Sequence, residues 1–468
     1  MKNMTVVIVG ADRVGTRLAK TLIAENMNVI MFEQDMEKAN LASNTLDCLV
    51  INKDGLDPDN LRDAGVSKAD YFISLTGSDE RNMIACGLVN REFNTPNKIA
   101  SVHNITFTHT SLLDKSFLGI DYIVNPELEA AKEIISKIEH GATGEIMLFE
   151  NTSLQIRTVP VPEESVFAGK LVKDLHTVLA ARVLVALIYQ DGEYTIPKGD
   201  TLIQEGDLLY LMGTEDALSK VLAQVGKERV NLNKMIIVGG NDISAYVCQH
   251  FYDKGEISAP KKHFWNIFQK QLGKKNIAII DRDYKRCKEL SARFPEALIL
   301  NEDISDDNVL EDEGLTDGDL IMAATENQEL NIVSAVYAKS LGVKKALALV
   351  KKTSYLNVAT NLGIDVPISL NYSTLQGILR FMRRRGLKNS YSIPESDIEV
   401  IQLQIPETSM AAGLLVKEIK FPPQTLILSV RSGDQDILPS GNYEFKKGDN
   451  IILLVKKDNI DRVQTIFK

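Results

Sequence analysis

The sequence predicts an α/β chain of two doubly wound parallel-sheet domains, each followed by a small α+β domain. The prediction rests first on a unit near the start: the apolar run Thr5-Val6-Val7-Ile8-Val9-Gly10, a glycine turn, a helical stretch, and Asn28-Val29-Ile30-Met31-Phe32-Glu33. It rests second on the return of that unit as Met235-Ile236-Ile237-Val238-Gly239, a turn, a helical stretch, and Asn276-Ile277-Ala278-Ile279-Ile280-Asp281. A strand, a phosphate-cradling turn and an acid closing the next strand make up the dinucleotide-binding βαβ unit, so each copy reads as Rossmann-like.

The repeat keeps its register along the chain. Gly10 and Gly239 lie 229 positions apart and Glu33 and Asp281 lie 248 apart. The second copy therefore holds about 19 extra residues in its first crossover. Beyond it, Asp54 pairs with Asp303 and Thr76 with Thr325, both at 249, and Gly206-Asp207 pairs with Gly448-Asp449 at 242.

The elements follow in order. Val6 to Val9, Val29 to Phe32, Cys48 to Ile51, Tyr71 to Leu75, Lys98 to Val102 and Tyr122 to Val124 are short apolar runs separated by helical segments. Such runs predict a parallel sheet covered on both faces, spanning 1–140. From 150 to 230 the pattern changes to strand-like Leu154 to Val159, Arg182 to Tyr189 and Asp207 to Met212, one amphipathic stretch at Leu171 to Leu179, and a turn at Pro197-Lys198-Gly199-Asp200. The order then repeats as a parallel-sheet domain at 233–385, with a degenerate glycine motif, and a small domain at 398–468. Gly386 to Asp397 reads as the linker between them.

At 468 residues the chain has room for about three or four domains. Its 44% hydrophobic and 25% charged residues are those of an ordinary globular protein. A net charge of −10 argues against nucleic-acid binding and against adhesion to anionic lipid. No apolar stretch reaches the roughly 18 residues of a bilayer span, and the start reads as a strand without the pattern of a signal peptide, so a cytosolic protein is expected. Cys48, Cys86, Cys248 and Cys287 lack metal-site or redox spacing and read as buried reduced thiols.

The turns carry the chemistry. The first reads Gly10-Ala11-Asp12-Arg13-Val14-Gly15. Gly10 permits the tight turn and Gly15 the close helix–strand packing, but Asp12 replaces the glycine that lets backbone approach a pyrophosphate. A carboxylate there repels phosphate, which the helix N-terminus offsets in part. Arg13 supplies a guanidinium that can hold phosphate oxygens, with Arg17 a turn further on. Glu33 stands where an acid accepts both ribose hydroxyls and repels a 2′-phosphate, so NAD(H), ATP or ADP fit better than NADP. The second turn, Gly239-Gly240-Asn241-Asp242-Ile243-Ser244, keeps only the first of the three glycines, with Asp281 as its acid. Asn241 crowds the phosphate approach and Ser244 holds the helix off the strand, so a second site and a purely structural half both stand as readings. Asp54 and Asp303, then Thr76 and Thr325, line the crevice at the strand ends. Helix capping is the competing account of the threonine segments.

The paired units, the Thr-x-x-Asp-Glu-x-Asn-Met stretch at Thr76 to Met83, and the turns Pro197 to Asp207 and Pro439 to Asp449 together resemble the regulator-of-potassium-conductance family, in its TrkA-type branch of peripheral subunits of Trk potassium uptake systems. The resemblance covers nearly the whole chain. It implies a non-catalytic gating ring at the inner face of the cell membrane, with NAD(H) or ATP/ADP as bound effectors and a Trk-type potassium-translocating membrane subunit as partner. It implies a homo-oligomer, a tetramer with eight lobes, and no metal. Site positions carried over are Gly10, Asp12, Arg13, Val14, Gly15, Glu33, Asp54 and Thr76 in the first lobe, and Gly239, Asp281, Asp303 and Thr325 in the second. The family's basic residue after the fifth strand is matched by His103 and Lys351.

Two other readings were weighed. An NAD-dependent oxidoreductase needs an acid–base group facing a crevice, and His176 is the lone small-domain candidate. A redox-responsive transcription regulator needs a basic DNA-binding helix that the acidic chain lacks. The lysine-rich insertion Asp253 to Lys275, with His263 and Trp265, reads as a surface excursion. The acidic run Glu302 to Glu313 reads as a charged helix face, without the ligand spacing of a calcium loop. The cluster Arg383-Arg384-Arg385 reads as a solvated helix end.

Overall fold

A computed structural model describes residues 4–93, 95–104, 107, 118–139, 146–149, 152–162, 165–175, 183–224, 232–252, 276–306, 308–352, 354–384, 390–393, 396–433 and 435–467. The insertion at 253–275, Arg385, His176 and the rest of the amphipathic stretch after Leu175 lie outside the described residues. The chain divides into two compact units. One joins residues 1–139 to 232–381, and the other joins 140–231 to 382–468.

The first unit holds both parallel sheets. In the first lobe the strands are β1 (Thr5–Val9), β2 (Asn28–Phe32), β3 (Leu49–Ile51), β4 (Tyr71–Ser74), β5 (Asn97–Ser101) and β6 (Tyr122–Val124). They pair in the order β3-β2-β1-β4-β5-β6, all parallel. Val6, Val7, Ile8, Phe72 and Ile73 are fully buried, as expected of strands covered by helices on both faces. The order reverses between β1 and β4, and a crevice opens beyond the carboxyl ends of those strands. The helix Arg13–Ala24 follows the first turn and buries Gly15, Leu18, Ala19 and Leu22, a single stripe at helical spacing.

The strands of the first small domain and then of the second lobe continue the count: β7 (Ile146–Leu148), β8 (Leu154–Pro160), β9 (Leu184–Gln190), β10 (Glu193–Thr195), β11 (Leu208–Thr214), β12 (Lys234–Val238), β13 (Asn276–Ile280), β14 (Leu298–Leu300), β15 (Leu320–Ala323), β16 (Lys345–Val350) and β17 (Val366–Ser369). The second lobe's order, β14-β13-β12-β15-β16-β17, copies the first.

The two lobes meet through helices. Pro126–Glu139 of the first lobe packs on Asp242–Tyr252 of the second. It also crosses Leu370–Arg384 in antiparallel sense: a Cβ on Gly377 would lie 2.9 Å from the Glu129 side chain, and Ser373 Oγ donates to Glu133 Oε2 at 2.6 Å. Glu129 is buried at this crossing, where Lys132 Nζ lies 2.7 Å and Arg380 Nη2 3.2 Å from its carboxylate. A carboxylate removed from water needs such partners. Tyr122 stacks on Phe381 at 4.6 Å, and His250 Nε2 lies 2.8 Å from Glu139 Oε1.

The other unit holds two five-stranded antiparallel sheets, β10-β9-β11-β8-β7 and, with β18 (Ser390–Ser392), β19 (Ile398–Gln404), β20 (Thr425–Ser432), β21 (Gln435–Ile437) and β22 (Asn450–Lys456), the order β18-β19-β22-β20-β21. Ile156, Leu187 and Met212 of one sheet share a core with Val400, Leu428 and Leu454 of the other. Helices Glu215–Gln224 and Ile460–Phe467 cover the opposite faces through Leu218 and Val221, and through Val463 and Phe467. Burial on both faces explains the unbroken apolar run Ile451 to Val455. The Gly-Asp turns staple the sheets: Gly206 and Gly448 have φ of +86° and +83°. Asp207 Oδ2 accepts from Gln204 N at 2.7 Å, and Asp449 Oδ2 accepts from Lys446 N at 2.9 Å.

The acidic run departs from the charged helix face its composition suggests. Among the described residues of the run only Val309–Asp312 is helical, and both Val309 and Leu310 are buried. Glycine at 314 and loop residues around Asp303 leave no length for a longer helix.

Candidate functional site

The first crevice is built by three loops. Gly10 leaves β1 with φ of +108°, and a Cβ there would lie 2.7 Å from Leu75 O, so the turn presses against the end of β4. At Gly15 a Cβ would meet Gly10 O at 2.1 Å, which makes the helix–strand contact available to glycine alone without movement. Glu33 Oε2 accepts from Ala11 N at 2.7 Å and its Oε1 accepts from Asp35 N at 2.9 Å. The acid after β2 is thus anchored to the glycine turn.

Asp12 does not project toward a phosphate. It caps the helix Arg13–Ala24, its Oδ1 accepting from Gly15 N at 2.9 Å. The residue is exposed, with its carboxyl set into the wall of the crevice. Desolvation there pushes its pKa up, against the pull of the Gly15 and Val14 N–H groups. Arg13 is exposed on the first helical turn beside Val14. Asp54 follows β3 and accepts from Leu56 N at 2.9 Å and from Arg81 Nη2 at 2.8 Å. A cavity among these loops is lined by Gly10, Asp12, Glu33, Asp54, Thr76 and Arg81, with Lys38 and Lys53 on its rim of charged side chains. The sequence reading passed over Lys38, Lys53 and Arg81 as site residues. Arg81 lies inside the quoted Thr76 to Met83 stretch, but nothing in its spacing pairs it with Asp54.

Thr76 serves a bracket. Its N and Oγ1 donate to Asn82 Oδ1 at 2.8 and 2.7 Å, and Asn82 Nδ2 donates to Thr76 O at 3.0 Å and to Ser101 O at 2.8 Å. Asn82 is fully buried and ties the ends of β4 and β5 together. His103 Nδ1 lies 2.9 Å from Glu127 Oε1, and that bond raises the His103 pKa above its ordinary value, with the Asp79 and Asp12 charges adding to it.

In the second lobe Gly239 has φ of +98°, and Gly240 N donates to Asp281 Oδ2 at 2.5 Å. Asn241 Nδ2 donates to Ala324 O, and Ser244 Oγ donates to Gly239 O, each at 2.5 Å. Asp303 accepts from Ser305 N and Oγ at 3.0 and 2.7 Å, which hold its pKa low, and Arg282 stands 3.7 Å away. Thr325 repeats the bracket: its N and Oγ1 donate to Asn331 Oδ1 at 2.8 and 2.6 Å. Lys351 N donates to Gln328 Oε1 at 3.0 Å. Of the carried-over residues, Gly10, Asp12, Glu33, Asp54 and Thr76 line one cavity in the first lobe, while in the second Gly239 lies against Thr325 and Asp281 holds the turn through Gly240. Among the described residues no group of His, Cys, Asp and Glu is placed to hold a metal ion.

The family model of the TrkA-N domain matches residues 6–126 and 267–370, and that of the TrkA-C domain matches 156–226 and 400–468. The second TrkA-N match begins beyond the Gly239–Ser244 turn, whereas the first takes in Gly10–Gly15. A Trk system potassium uptake protein TrkA homolog from Archaeoglobus fulgidus is 28% identical over 471 residues, covering 99% of this chain and 100% of that protein. The Trk system potassium uptake protein TrkA of Halomonas elongata is 26% identical, with 99% of each chain covered. The crystal structure of the GsuK RCK domain superposes with a TM-score of 0.56 at 18% identity, covering 100% of this chain and 95% of that one. The GsuK channel bound to NAD gives 0.55, again at 18%, covering 100% and 79%. With tandem TrkA-N and TrkA-C matches over both halves and relatives aligned from end to end, the chain belongs to the TrkA family.

Proposed function

We propose that this chain is the peripheral regulatory subunit of a potassium-translocating membrane protein of the Trk type, and that it acts by sensing a nucleotide. In this reading the domains at 1–140 and 233–385 are the nucleotide-binding-type lobes, and those at 150–230 and 398–468 are regulatory. The observation that carries the reading is the first crevice: a glycine turn tied to Glu33 at the topological switch point, in a chain aligned end to end with Trk potassium uptake proteins. The NAD-bound state of a structural neighbour supports NAD(H) as a ligand class, beside ATP and ADP. Glu33 accepts the ribose hydroxyls, the N-terminus of the helix Arg13–Ala24 faces the phosphates, and Arg13 holds their oxygens.

No helix among the described residues is long and apolar enough to cross a membrane, so contact with the pore goes through the partner. Signalling requires that the ligand bind one arrangement of the lobes better than another. The helix that receives the phosphates also carries Arg17, whose guanidinium stands 5.9 Å over the Tyr372 ring of the second lobe. A shift of this helix on binding is therefore felt where the lobes meet. A tetramer of such chains at the inner membrane face, eight lobes in all, completes the reading.

The test is calorimetric titration of the full chain with NADH, NAD, ATP and ADP, in wild type and Glu33→Ala, with light scattering for the oligomer. Saturable binding weakened at least tenfold by Glu33→Ala is expected. A monomer that binds none of the four, or steady oxidation of NADH with a keto acid, overturns the reading.

A further inference from the structure

We infer that nucleotide enters only the first of the two crevices, one molecule per chain, and that the second crevice is filled by the protein's own groups, which take the places of the ligand's contacts. This rests on the nucleotide-sensing reading and concerns its stoichiometry and its site.

Charge supplies the first argument. At the helix N-terminus the register sets Asp242 where the first lobe has Arg13. On the rim it sets Glu302 where the first lobe has Lys53, and Leu330 in place of Arg81. Lys38 is matched by Arg286, and Arg282 stands at the position of the neutral Gln34. The first crevice is thus lined by Lys38, Lys53 and Arg81 against Asp12, Glu33 and Asp54, with Arg13 exposed on the helix turn beside it. The second offers Arg282, Arg286 and Lys351 against Asp242, Asp281, Glu302 and Asp303. An anion such as pyrophosphate gains Coulomb energy in the first and loses it in the second. Arg286 Nη2 also lies 3.5 Å from Asp242 Oδ1, a partner the protein supplies itself.

Occupancy supplies the second argument. Asn241 reaches across the switch point, its Nδ2 donating to Ala324 O at the end of β15, while its Oδ1 accepts from Ser244 N at 3.2 Å. This amide side chain lies across the path by which a pyrophosphate reaches the turn. In the first lobe Asp12 folds back onto Gly15 N and leaves that span uncrossed. Leu290 crowds the second turn as well: a Cβ on Gly240 would lie 2.6 Å from Leu290 Cδ1, and the register places Ala42 at the matching position of the first lobe. Ser244 Oγ holds Gly239 O, at the position where the first lobe packs Gly15 bare against Gly10 O and leaves the hydroxyl tie to Thr16 Oγ1, which donates to Ala11 O at 3.1 Å. Four groups from within the second lobe therefore do what a bound dinucleotide does in the first: they fill the turn, pair its charges and join β12, β15 and the helix.

The test is equilibrium dialysis and calorimetry of the full chain with ADP and, separately, NADH. The variants are Arg13→Asp, which puts the second lobe's residue into the first, Asp281→Ala, and the triple variant Asn241→Gly/Asp242→Arg/Ser244→Gly. Each is checked by its thermal melt and oligomeric state. The expected results are one nucleotide per wild-type chain, at least tenfold weaker binding in Arg13→Asp, unchanged affinity in Asp281→Ala, and a second equivalent gained in the triple variant. Two equivalents in wild type overturn the inference while upholding nucleotide sensing. One equivalent that survives Arg13→Asp and is lost in Asp281→Ala overturns it too, by assigning the ligand to the wrong lobe. No binding of either ligand ends both the inference and the reading beneath it.

Discussion

The polar bracket at the end of the fourth strand and the glycine turn at the end of the first lie in the same crevice, and they differ in what duplication has done to them. The bracket is the same in both lobes: Asn82 holds Thr76 and reaches Ser101 O, and Asn331 holds Thr325 and reaches Leu349 O at 2.8 Å. Its neighbour is kept in role if not in chemistry, since Asp79 accepts from His103 N at 2.9 Å and Gln328 accepts from Lys351 N. The turns share their first glycine, the acid that anchors them and the side-chain cap on the following helix, but differ in the residues that would meet a ligand. What both copies retain is what the sheet needs to close β4 on β5, whether or not a ligand is present. The threonines are thus evidence about fold, and the turns are evidence about binding.

The strongest challenge to that division is removal of the bracket. Asn82→Ala leaves buried donors and carbonyls of Ser74, Thr76 and Ser101 without their partner and is expected to cost about 3 kcal/mol. Asn331→Ala is expected to cost the same within about 1 kcal/mol. Chemical denaturation of the full chain reads both. A large effect in one lobe alone would return the threonine segments to the ligand.

Next in size is the turn. Gly15→Ala drives a Cβ into Gly10 O, so the helix must withdraw, and about 2 kcal/mol of stability goes with it. The reverse exchange, Ser244→Gly, removes one hydroxyl hydrogen bond and is expected to cost about 1 kcal/mol. If Gly15→Ala proved neutral, the close packing of the first turn would not be what separates the lobes.

Much of this was readable beforehand. All six strands of the first lobe stand within a residue or two of their apolar runs; burial on both faces keeps β1 apolar, and the partly exposed β3 is still marked by three apolar residues in a row. The short edge strands β7 and β10 and the helices Glu215–Gln224 and Ile460–Phe467 carried no such signal, since three residues hold no period and an amphipathic helix of eight or ten is brief. In the turns, the acids and glycines were legible because each has a backbone task at a fixed place after its strand: Glu33 and Asp281 accept from the turn N–H groups, and Gly10 and Gly239 press against the end of the fourth strand. The role of Asp12 was harder to read, because a carboxylate in the turn has two uses and only the structure shows it capping Gly15 N. Arg81 and Asp54 were out of reach because 27 residues of chain separate two groups that the fold sets 2.8 Å apart.

That pair gives the third measurement. Arg81→Leu imports the second lobe's residue, removes a cation from the cavity and is expected to weaken ADP binding by about fivefold to tenfold, about 1 kcal/mol, in calorimetry. Asp303→Ala, across the molecule's internal repeat, should leave the same isotherm unmoved.

The smallest expected effect is a pH dependence. The bond to Glu127 raises the His103 pKa in the folded chain, so its stabilisation is fully present below about pH 6.5, the ordinary histidine value, and is lost as pH rises through the higher folded value. With the imidazole about half exposed, solvent screening limits it to a few tenths of a kcal/mol. Melting temperatures from pH 5.5 to 8.5 should fall slightly more in wild type than in His103→Gln. Equal slopes would show that the pair contributes nothing.

The antiparallel crossing of Pro126–Glu139 with Leu370–Arg384 has a consequence for heredity. Asn125 and Ser369 cap the two helices alike, accepting from Leu128 N at 2.7 Å and Tyr372 N at 3.4 Å, so Glu129 corresponds to Ser373 and Glu133 to Gly377. Glu129 against Gly377 and Glu133 against Ser373 are then the same contact made twice about an internal twofold axis. In a homodimer each mutation would strike both copies of such a contact at once, and a buried acid gained on one side would be gained on the other. Written into one reading frame, the two sides are inherited separately. Glu129 can recruit Arg380 while its counterpart remains a serine, and neither half has to be a compromise with its twin.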